Sequence, residues 1–445
     1  MSEASRSDSS RGGGRATGGH VPRRGRVVIV GTGIAGATAA ETLRKQGFAG
    51  SIVLVGDDPS PPYRRPMVSK DVLSGSAGGH KALLKPPAFW SEMTIELRTG
   101  IQVHEVDIAA ATIEFEDGAA LSYDALILAT GGRPRRLDPL RADGHTLRHL
   151  HDVGPLRAEL ERVGSTGAIP AVLVVGGGLV GMEVAASARA TGAEVTVVEM
   201  GDRVLERILP EPISAMYERT HRAAGVAVHT EVLLAEVSEV GGRKRVVAAD
   251  GREWIADVVV VAVGMTPNDE LAAAARLAVA DGIVVDEFCA TSASGVYAAG
   301  DVARFPNRIL GGTERVEHWN HAQAHGAAAA RSILGMPEPY EEVPWCWTSQ
   351  FGRTLQIAGW PGRGNELIVH GDVHDGAFLA LSLADDRLVG AIGVGRPRDV
   401  RAACSLIKDG PFLPRELLGG DGVDLVETAA APDRFGAPPV AAPRE

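Results

Sequence analysis

The chain has 445 residues, 45% hydrophobic and 23% charged, and a formal net charge of −11. That length exceeds what one hydrophobic core supports, so roughly two or three domains are expected. The negative balance argues against general nucleic-acid binding, no apolar run reaches the ~18–20 residues of a membrane helix, and the N-terminus lacks the apolar segment of a secretory leader. Cys289, Cys346 and Cys404 lie far apart with no CxxC pair. Neither a disulfide framework nor a zinc site is predicted, and a reducing cytoplasm is the expected compartment.

Residues 1–25 are Ser, Gly and Arg with hardly an apolar side chain, and are expected to be disordered. Arg26 to Leu43, RVVIVGTGIAGATAAETL, then sets β-branched Val27 to Val30 directly before Gly31-Thr32-Gly33-Ile34-Ala35-Gly36. A helix-favouring run, Ala35 to Lys45, follows without a break. This order suits a pyrophosphate: one glycine makes the turn, a second admits the phosphate, and a third lets the helix pack on the strand. The helix N-terminus adds free N–H groups and partial positive charge. The next strand, Ser51 to Val55, runs into Gly56-Asp57-Asp58. An acid there accepts hydrogen bonds from a ribose, and Asp58 is assigned that place. Pro61 to Lys70 reads as a rigid loop passing into a helix.

Ala111 to Thr130 turns at Asp117-Gly118 and then runs inward as a buried strand; Arg243 to Gly264 repeats that order around Asp250-Gly251. Between them, Val172 to Val175 leads into Gly176-Gly177-Gly178-Leu179-Val180-Gly181, and the strand Glu194 to Val198 ends at Glu199. Two βαβ units, each followed by a hairpin and a strand ending in glycine, predict an α/β chain with two Rossmann-like dinucleotide-binding domains. Gly295 to Asp301, GVYAAGD, is a strand entering a Gly-Asp turn, where the acid can cap a helix or bind a sugar hydroxyl. A helix from Glu317 to Leu334 follows, then a linker, Pro337 to Pro344. Alternating stretches and a helix at Pro397 to Lys408 predict a small C-terminal α+β domain. The assigned limits are 26–138 with 267–336 for the first nucleotide domain, 139–266 for the second, 337–428 for the C-terminal domain, and 429–445 for a flexible tail.

With these parts in order, the chain resembles the FAD-dependent NAD(P)H:ferredoxin reductases of the glutathione-reductase superfamily, the group of putidaredoxin, rubredoxin and Rieske-dioxygenase ferredoxin reductases. PPYRRPMVSK, ILATGGRPR, GGGLVGMEVAASA, VVVAVGMTPN, GVYAAGDVARF, RVEHWNHAQAHG and PWCWTSQFGRTLQIAG carry the resemblance, which covers about Arg26 to Lys408. It implies FAD on the first unit, held through Gly31, Gly33, Ala35 and Gly36. Asp58 would meet the ribose, Arg65 the pyrophosphate, Val103 and Arg148 further parts of the cofactor, and Gly300-Asp301 the ribityl chain. Lys70 would reach the flavin near N5, Trp319 would lie by the isoalloxazine, and Trp347 would cover its dimethylbenzene side. NADH would occupy the second unit through Gly176, Gly178, Leu179, Val180, Gly181 and Gly264, with Glu183 at the carboxamide and paired with Lys70. Glu199 accepts hydrogen bonds from ribose 2′- and 3′-hydroxyls and repels a 2′-phosphate, so NADH is expected over NADPH, with Arg203 nearby.

The resemblance implies electron transfer from NADH through FAD to a [2Fe–2S] ferredoxin that feeds an oxygenase, a cytochrome P450 or a Rieske dioxygenase, by a monomer or homodimer. Alternatives are a rubredoxin reductase, an NADH oxidase-like flavoprotein, and, in another class, a redox-responsive interaction protein similar to apoptosis-inducing factor. The disulfide reductases of the superfamily need a CxxC or CxxxxC, and its oxidases and peroxidases a cysteine in the segment matching Pro62 to Lys70; this sequence has neither. Ser349 stands where many relatives have aspartate, and Met67-Val68 replaces the commoner Pro-Leu, departures that bear on partner fit. Ferredoxins are commonly acidic, so Arg64, Arg308, Arg315 and Arg353 are candidates for a basic docking rim. His318, His321 and His325 share one helical face, but no carboxylate or cysteine is arranged with them and no metal is expected.

Overall fold

The computed structural model describes residues 24–140, 144–374, 376–410, 413, 415–419 and 424–430. The expected tails at 1–25 and 429–445 therefore lie almost entirely outside the described residues. The first unit comprises β1 (Arg26–Val30), α1 (Ile34–Lys45), β2 (Ser51–Gly56), β3 (Ile95–Thr99) and β4 (Ala125–Leu128). The second comprises α2 (Leu150–Gly164), β5 (Ala171–Val175), α3 (Leu179–Ala190), β6 (Glu194–Val198), α4 (Glu211–Ala223), β7 (Val226–His229) and β8 (Val258–Val261). The chain then re-enters the first unit with β9 (Val296–Ala298) and α5 (Trp319–Ile333). It finishes with β10 (Trp345–Gln350), β11 (Arg353–Gly359), β12 (Glu366–Gly371), β13 (Phe378–Ala384), β14 (Arg387–Val394) and α6 (Pro397–Asp409).

The two nucleotide units are parallel sheets of order β9-β4-β1-β2-β3 and β7-β6-β5-β8. Val27, Val28 and Ile29 are wholly buried, as strands covered on both faces must be, and this explains their uninterrupted apolar run. Each such side chain contributes about 1.5–3 kcal/mol on burial. The two expected hairpins each gain a third strand, Val103–Asp107 and Leu234–Val240, pairing antiparallel with the strand that follows it. The C-terminal sheet is antiparallel, of order β10-β11-β14-β13-β12. The apolar face of α6, with Val400, Ala403, Leu406 and Ile407 buried, closes one side of it.

Small residues let α1 and α5 approach closely, which brings the Gly-Asp turn beside the first glycine turn. A Cβ at Gly326 on α5 would run into the Ala35 carbonyl, and one at Gly300 would come within 2.8 Å of the Ala35 Cβ. Beneath this contact His321 and His325 are buried with Phe305 and Tyr340. His321 Nδ1 lies 2.8 Å from the Tyr340 hydroxyl, and His325 Nδ1 accepts the Gly300 N–H at 3.3 Å. Among the described residues no helix is long and apolar enough to cross a membrane.

Burial lowers the pKa of both histidines, that of His325 to about 3. The unfolded chain therefore binds protons below about pH 6.5 that the native chain refuses. Stability attached to these residues is fully present above that value and is lost as pH falls from 6.5 toward 3. Each histidine contributes a slope of up to about 1.4 kcal/mol per pH unit. Urea midpoints at pH 7 and pH 5 are expected to differ in that direction, and the difference to shrink in His325→Gln; a midpoint unchanged at pH 5 would contradict the assignment.

Candidate active site

The glycine turns are built alike. Gly31 has φ +117° and Gly176 φ +106°, and a Cβ on either would strike the backbone carbonyl of the returning strand, at Ala129 and at Ala262. Gly36 and Gly181 press against the carbonyls of Gly31 and Gly176, so they serve helix–strand packing and lie behind the cavity wall. At Gly33 and Gly178 a Cβ would meet nothing within 4 Å. These two glycines are the N-caps of α1 and α3, with φ −72° and −75°, no side-chain cap and no acid in the first turn. Both helices thus present uncapped N–H groups to open space, an arrangement that fits a phosphate.

Both turns open on one cavity of about 1740 Å³. Of the residues predicted for the site, Ala35, Asp58, Arg65, Lys70, Val103, Asp301 and Trp319 line it from the first unit, and Arg148 from the segment that leads into α2. Leu179, Val180, Glu183, Glu199 and Gly264 line it from the second, and Trp347 from the C-terminal domain. Gly300 lies behind the wall, where its positive φ of +81° makes the turn that presents Asp301.

Cations gather in the first half. Arg65 donates to the Arg148 carbonyl at 2.8 Å, and Arg148 donates to Asp301 Oδ2 at 2.9 Å. Burial and the neighbouring Arg148 guanidinium lower the pKa of Arg65. Asp58 stands 4.0 Å from Arg65, and two adjacent guanidiniums on the cavity wall suit an anionic ligand such as a pyrophosphate. Asp58 is buried and accepts from the Ser60 N–H at 3.0 Å and the Tyr63 hydroxyl at 2.8 Å, so its observed bonds brace the loop. Strand register pairs Val30 with Val55 and Val175 with Val198, which makes Gly56, not an acid, the equivalent of Glu199. The acids after the two second strands are therefore not in matching positions, and exposed Asp57 also reaches the cavity.

Acids gather in the second half. Glu199 accepts the Gly177 N–H at 2.5 Å and the Gly201 N–H at 2.8 Å, which fixes the carboxylate at the end of β6. Arg203 is drawn to Asp202 at 3.3 Å and Glu206 at 3.7 Å, so its charge is already met by acids.

At the junction Lys70 Nζ pairs with Glu183 Oε1 at 2.7 Å and also donates to the Pro66 carbonyl at 3.0 Å. Lys70 sits in a π-helical turn, Val68–Val72, a distortion common at functional sites. Glu183 is only 4% exposed and takes two further donors, the Ser69 hydroxyl at 2.5 Å and the Thr348 hydroxyl at 2.7 Å. The sequence reading missed Ser69 and Thr348; short hydroxyl side chains carry no signal until the fold brings them to a carboxylate. Trp319 and Trp347 are half-buried on the wall, and Trp345 lies 5.7 Å from Trp347 between ring centroids.

The docking arginines divide. Arg315 is withdrawn, not on a rim: its side chain is 8% exposed and bound to Asp281, Glu317 and the Asp301 carbonyl. Arg308 is paired with Glu287 and Glu341, Arg353 is half-buried, and Arg64 is exposed. His318, His321 and His325 do not converge on a metal-like arrangement; the described group with that spacing is His149, His151 and Asp152. There Asp152 Oδ2 instead caps α2 through the Arg148 and His149 N–H groups.

Glu183→Leu alone strands the Lys70 ammonium and is expected to cost about 3 kcal/mol in unfolding free energy. Removing both charges, Lys70→Met with Glu183→Leu, is expected to restore most of that loss, read from denaturant midpoints. Equal losses in the single and double variants would show that the pair does not couple.

Comparison with known proteins agrees with this geometry. Residues 25–326 match the family described as pyridine nucleotide-disulphide oxidoreductase, and 345–429 match the reductase C-terminal family. The chain is 37% identical over 408 residues to the ferredoxin–NAD(+) reductase component of a p-cumate 2,3-dioxygenase system from Pseudomonas putida, covering 91% of this chain and 98% of that one. It is 35% identical over 415 residues to putidaredoxin reductase of Pseudomonas putida, covering 91% and 97%. The solved putidaredoxin reductase in covalent complex with putidaredoxin superposes with a TM-score of 0.86 at 34% identity, covering 92% of this chain and 99% of that one. The chain belongs to the pyridine nucleotide-disulphide oxidoreductase family, with the reductase C-terminal domain as its last part.

Proposed function

We propose that this chain is an NADH-dependent ferredoxin reductase that carries FAD and serves an oxygenase through a [2Fe–2S] ferredoxin, as a monomer or homodimer in the cytoplasm. The observation that carries the reading is the single cavity onto which both glycine turns open, with the Lys70–Glu183 pair at their junction. The relatives named above work as reductase components of dioxygenase systems or beside putidaredoxin, and the cytoplasmic assignment follows the three free thiols.

In this reading Gly33, Arg65 and Arg148 hold the FAD pyrophosphate, and Asp301 holds the sugar alcohol beside it. Bound there, FAD would supply what the side chains cannot, acceptance of one hydride and release of its two electrons singly. Gly178 and the N-terminus of α3 hold the NADH pyrophosphate, and Glu199 accepts the adenosine ribose hydroxyls. Lys70 keeps a positive charge at the cavity wall where negative charge develops, and Glu183 holds that ammonium in place. Trp319 and Trp347 cover the reacting end and limit water. Arg64, Arg308 and Arg353 remain candidates for meeting an acidic partner.

NADH-dependent cytochrome c reduction is expected to require an added ferredoxin; rapid oxygen consumption without ferredoxin stimulation would refute the reading. The wild type should prefer NADH to NADPH in kcat/KM by about tenfold or more, equivalent to about 1.4 kcal/mol or more. Glu199→Ala should narrow that ratio. A wild-type preference for NADPH would overturn the role given to Glu199.

A further inference from the structure

Glu183 receives three donors from two other parts of the chain: Ser69 and Lys70 in the first unit, and Thr348 on β10 of the C-terminal domain. Thr348 is wholly buried, and its Oγ1 accepts from Gln350 Nε2 at 2.9 Å. Because Gln350 occupies the hydroxyl as an acceptor, the Thr348 proton is committed to Glu183 Oε1, giving a directional chain from Gln350 through Thr348 to the carboxylate. Ser69 fixes the other oxygen, and the Ser69 carbonyl is itself held by the Ser187 hydroxyl at 2.7 Å. The carboxylate therefore cannot swing without breaking a buried hydrogen bond. An ammonium has three N–H groups. Lys70 spends two on Glu183 and Pro66, which leaves one for the cavity that Lys70 lines.

We propose that Thr348, with Ser69, is a positioning residue for hydride transfer: its hydroxyl locks the Glu183 carboxylate, and so directs the remaining Lys70 N–H at the reacting centre. The C-terminal domain thereby takes part in assembling the nicotinamide half of the site, in addition to offering Trp347 to its wall. Removing a buried donor leaves an acceptor unsatisfied, and misorienting the group next to the reacting centre is felt in rate more than in binding.

The test uses full-length, flavin-loaded Thr348→Val, Thr348→Ser and Ser69→Ala, with Ser349→Ala as control. Ser349 is exposed and its hydroxyl meets only Thr354. Thr348→Val is expected to slow flavin reduction by NADH about tenfold in single turnover, with the NADH dissociation constant changed less than about twofold. Acylation of Lys70, quantified by mass spectrometry of its peptide in flavin-loaded and flavin-free protein, should rise severalfold in Thr348→Val because the ammonium is less firmly paired. Thr348→Ser, which keeps the hydroxyl, should return both readouts to near wild type. Ser69→Ala should shift Lys70 acylation in the same direction, which keeps the role testable if Thr348→Val fails to fold. Equal loss in Thr348→Val and Thr348→Ser, or Lys70 acylation unmoved in Thr348→Val and Ser69→Ala, would overturn the role. Because it presupposes the NADH-to-flavin transfer proposed above, wild-type reduction is scored separately. A wild type that NADH fails to reduce defeats that reading, while Lys70 acylation still judges the positioning.

Discussion

A carboxylate buried to 4% exposure is the constraint on which the rest of the molecule turns. Unpaired, a charge in such a place costs several kcal/mol, and it persists only if both of its oxygens find donors. Glu183 finds them in Lys70, Ser69 and Thr348, which come from opposite ends of the chain. Sheets that belong to separate units must therefore stop in one relative arrangement. Lys70 reaches the pair from a π-helical turn, a backbone form that strong local contacts must hold in place. The same contacts leave the cavity wall with a fixed cation and two tryptophans, so fold and site are stabilised by shared bonds.

Two nearly superposable glycine turns raise the question of what distinguishes them, and the answer is charge. Backbone geometry is common to both: a left-handed first glycine, an open N-cap glycine and a third glycine pressed under the helix. Around the first stand Arg65 and Arg148, with Asp58 and Asp301 facing them. Around the second stands Glu199, locked by two backbone N–H groups, with Asp202 and Glu206 holding Arg203. At the first, the two guanidiniums add donors suited to phosphate oxygens to those of the backbone. A carboxylate placed like Glu199 suits a sugar with free hydroxyls better than one carrying an extra phosphate. Both turns open on one cavity, with Lys70 on its wall between them.

Legibility followed the range of the interaction. The turns, their strands and the helices after them were readable because each is specified within about twenty consecutive residues, by period and by glycine. The nearness of Lys70 to Glu183 came through resemblance, since 112 intervening residues carry no local trace of it. Asp58 shows the limit: an acid after a strand looked equivalent to Glu199, but the strand runs one residue further before it, and register puts Gly56 there instead. Arg315 shows another, because a surface-looking arginine turns inward to Asp281 and Glu317 once the β-strands around Ile283 and Ala303 pair. Ser69 and Thr348 were invisible for a third reason. A hydroxyl acquires meaning only from the group it faces, and that group was supplied by a different domain.

The family's name joins pyridine nucleotides to disulphide chemistry, yet the cysteine that stands nearest the pair is unsuited to it. Cys346 lines the cavity beside Trp345 and Trp347. Burial, and after it the Glu183 charge, push its thiol up to about 12, so it stays protonated at neutral pH. A thiol, not a thiolate, is a poor nucleophile, and no second cysteine lies near it in sequence to form a disulfide. Burial, with the Glu183 charge adding to it, thus holds the sulfur silent. The wall that Cys346 shares is instead aromatic, formed by the half-buried faces of Trp319 and Trp347.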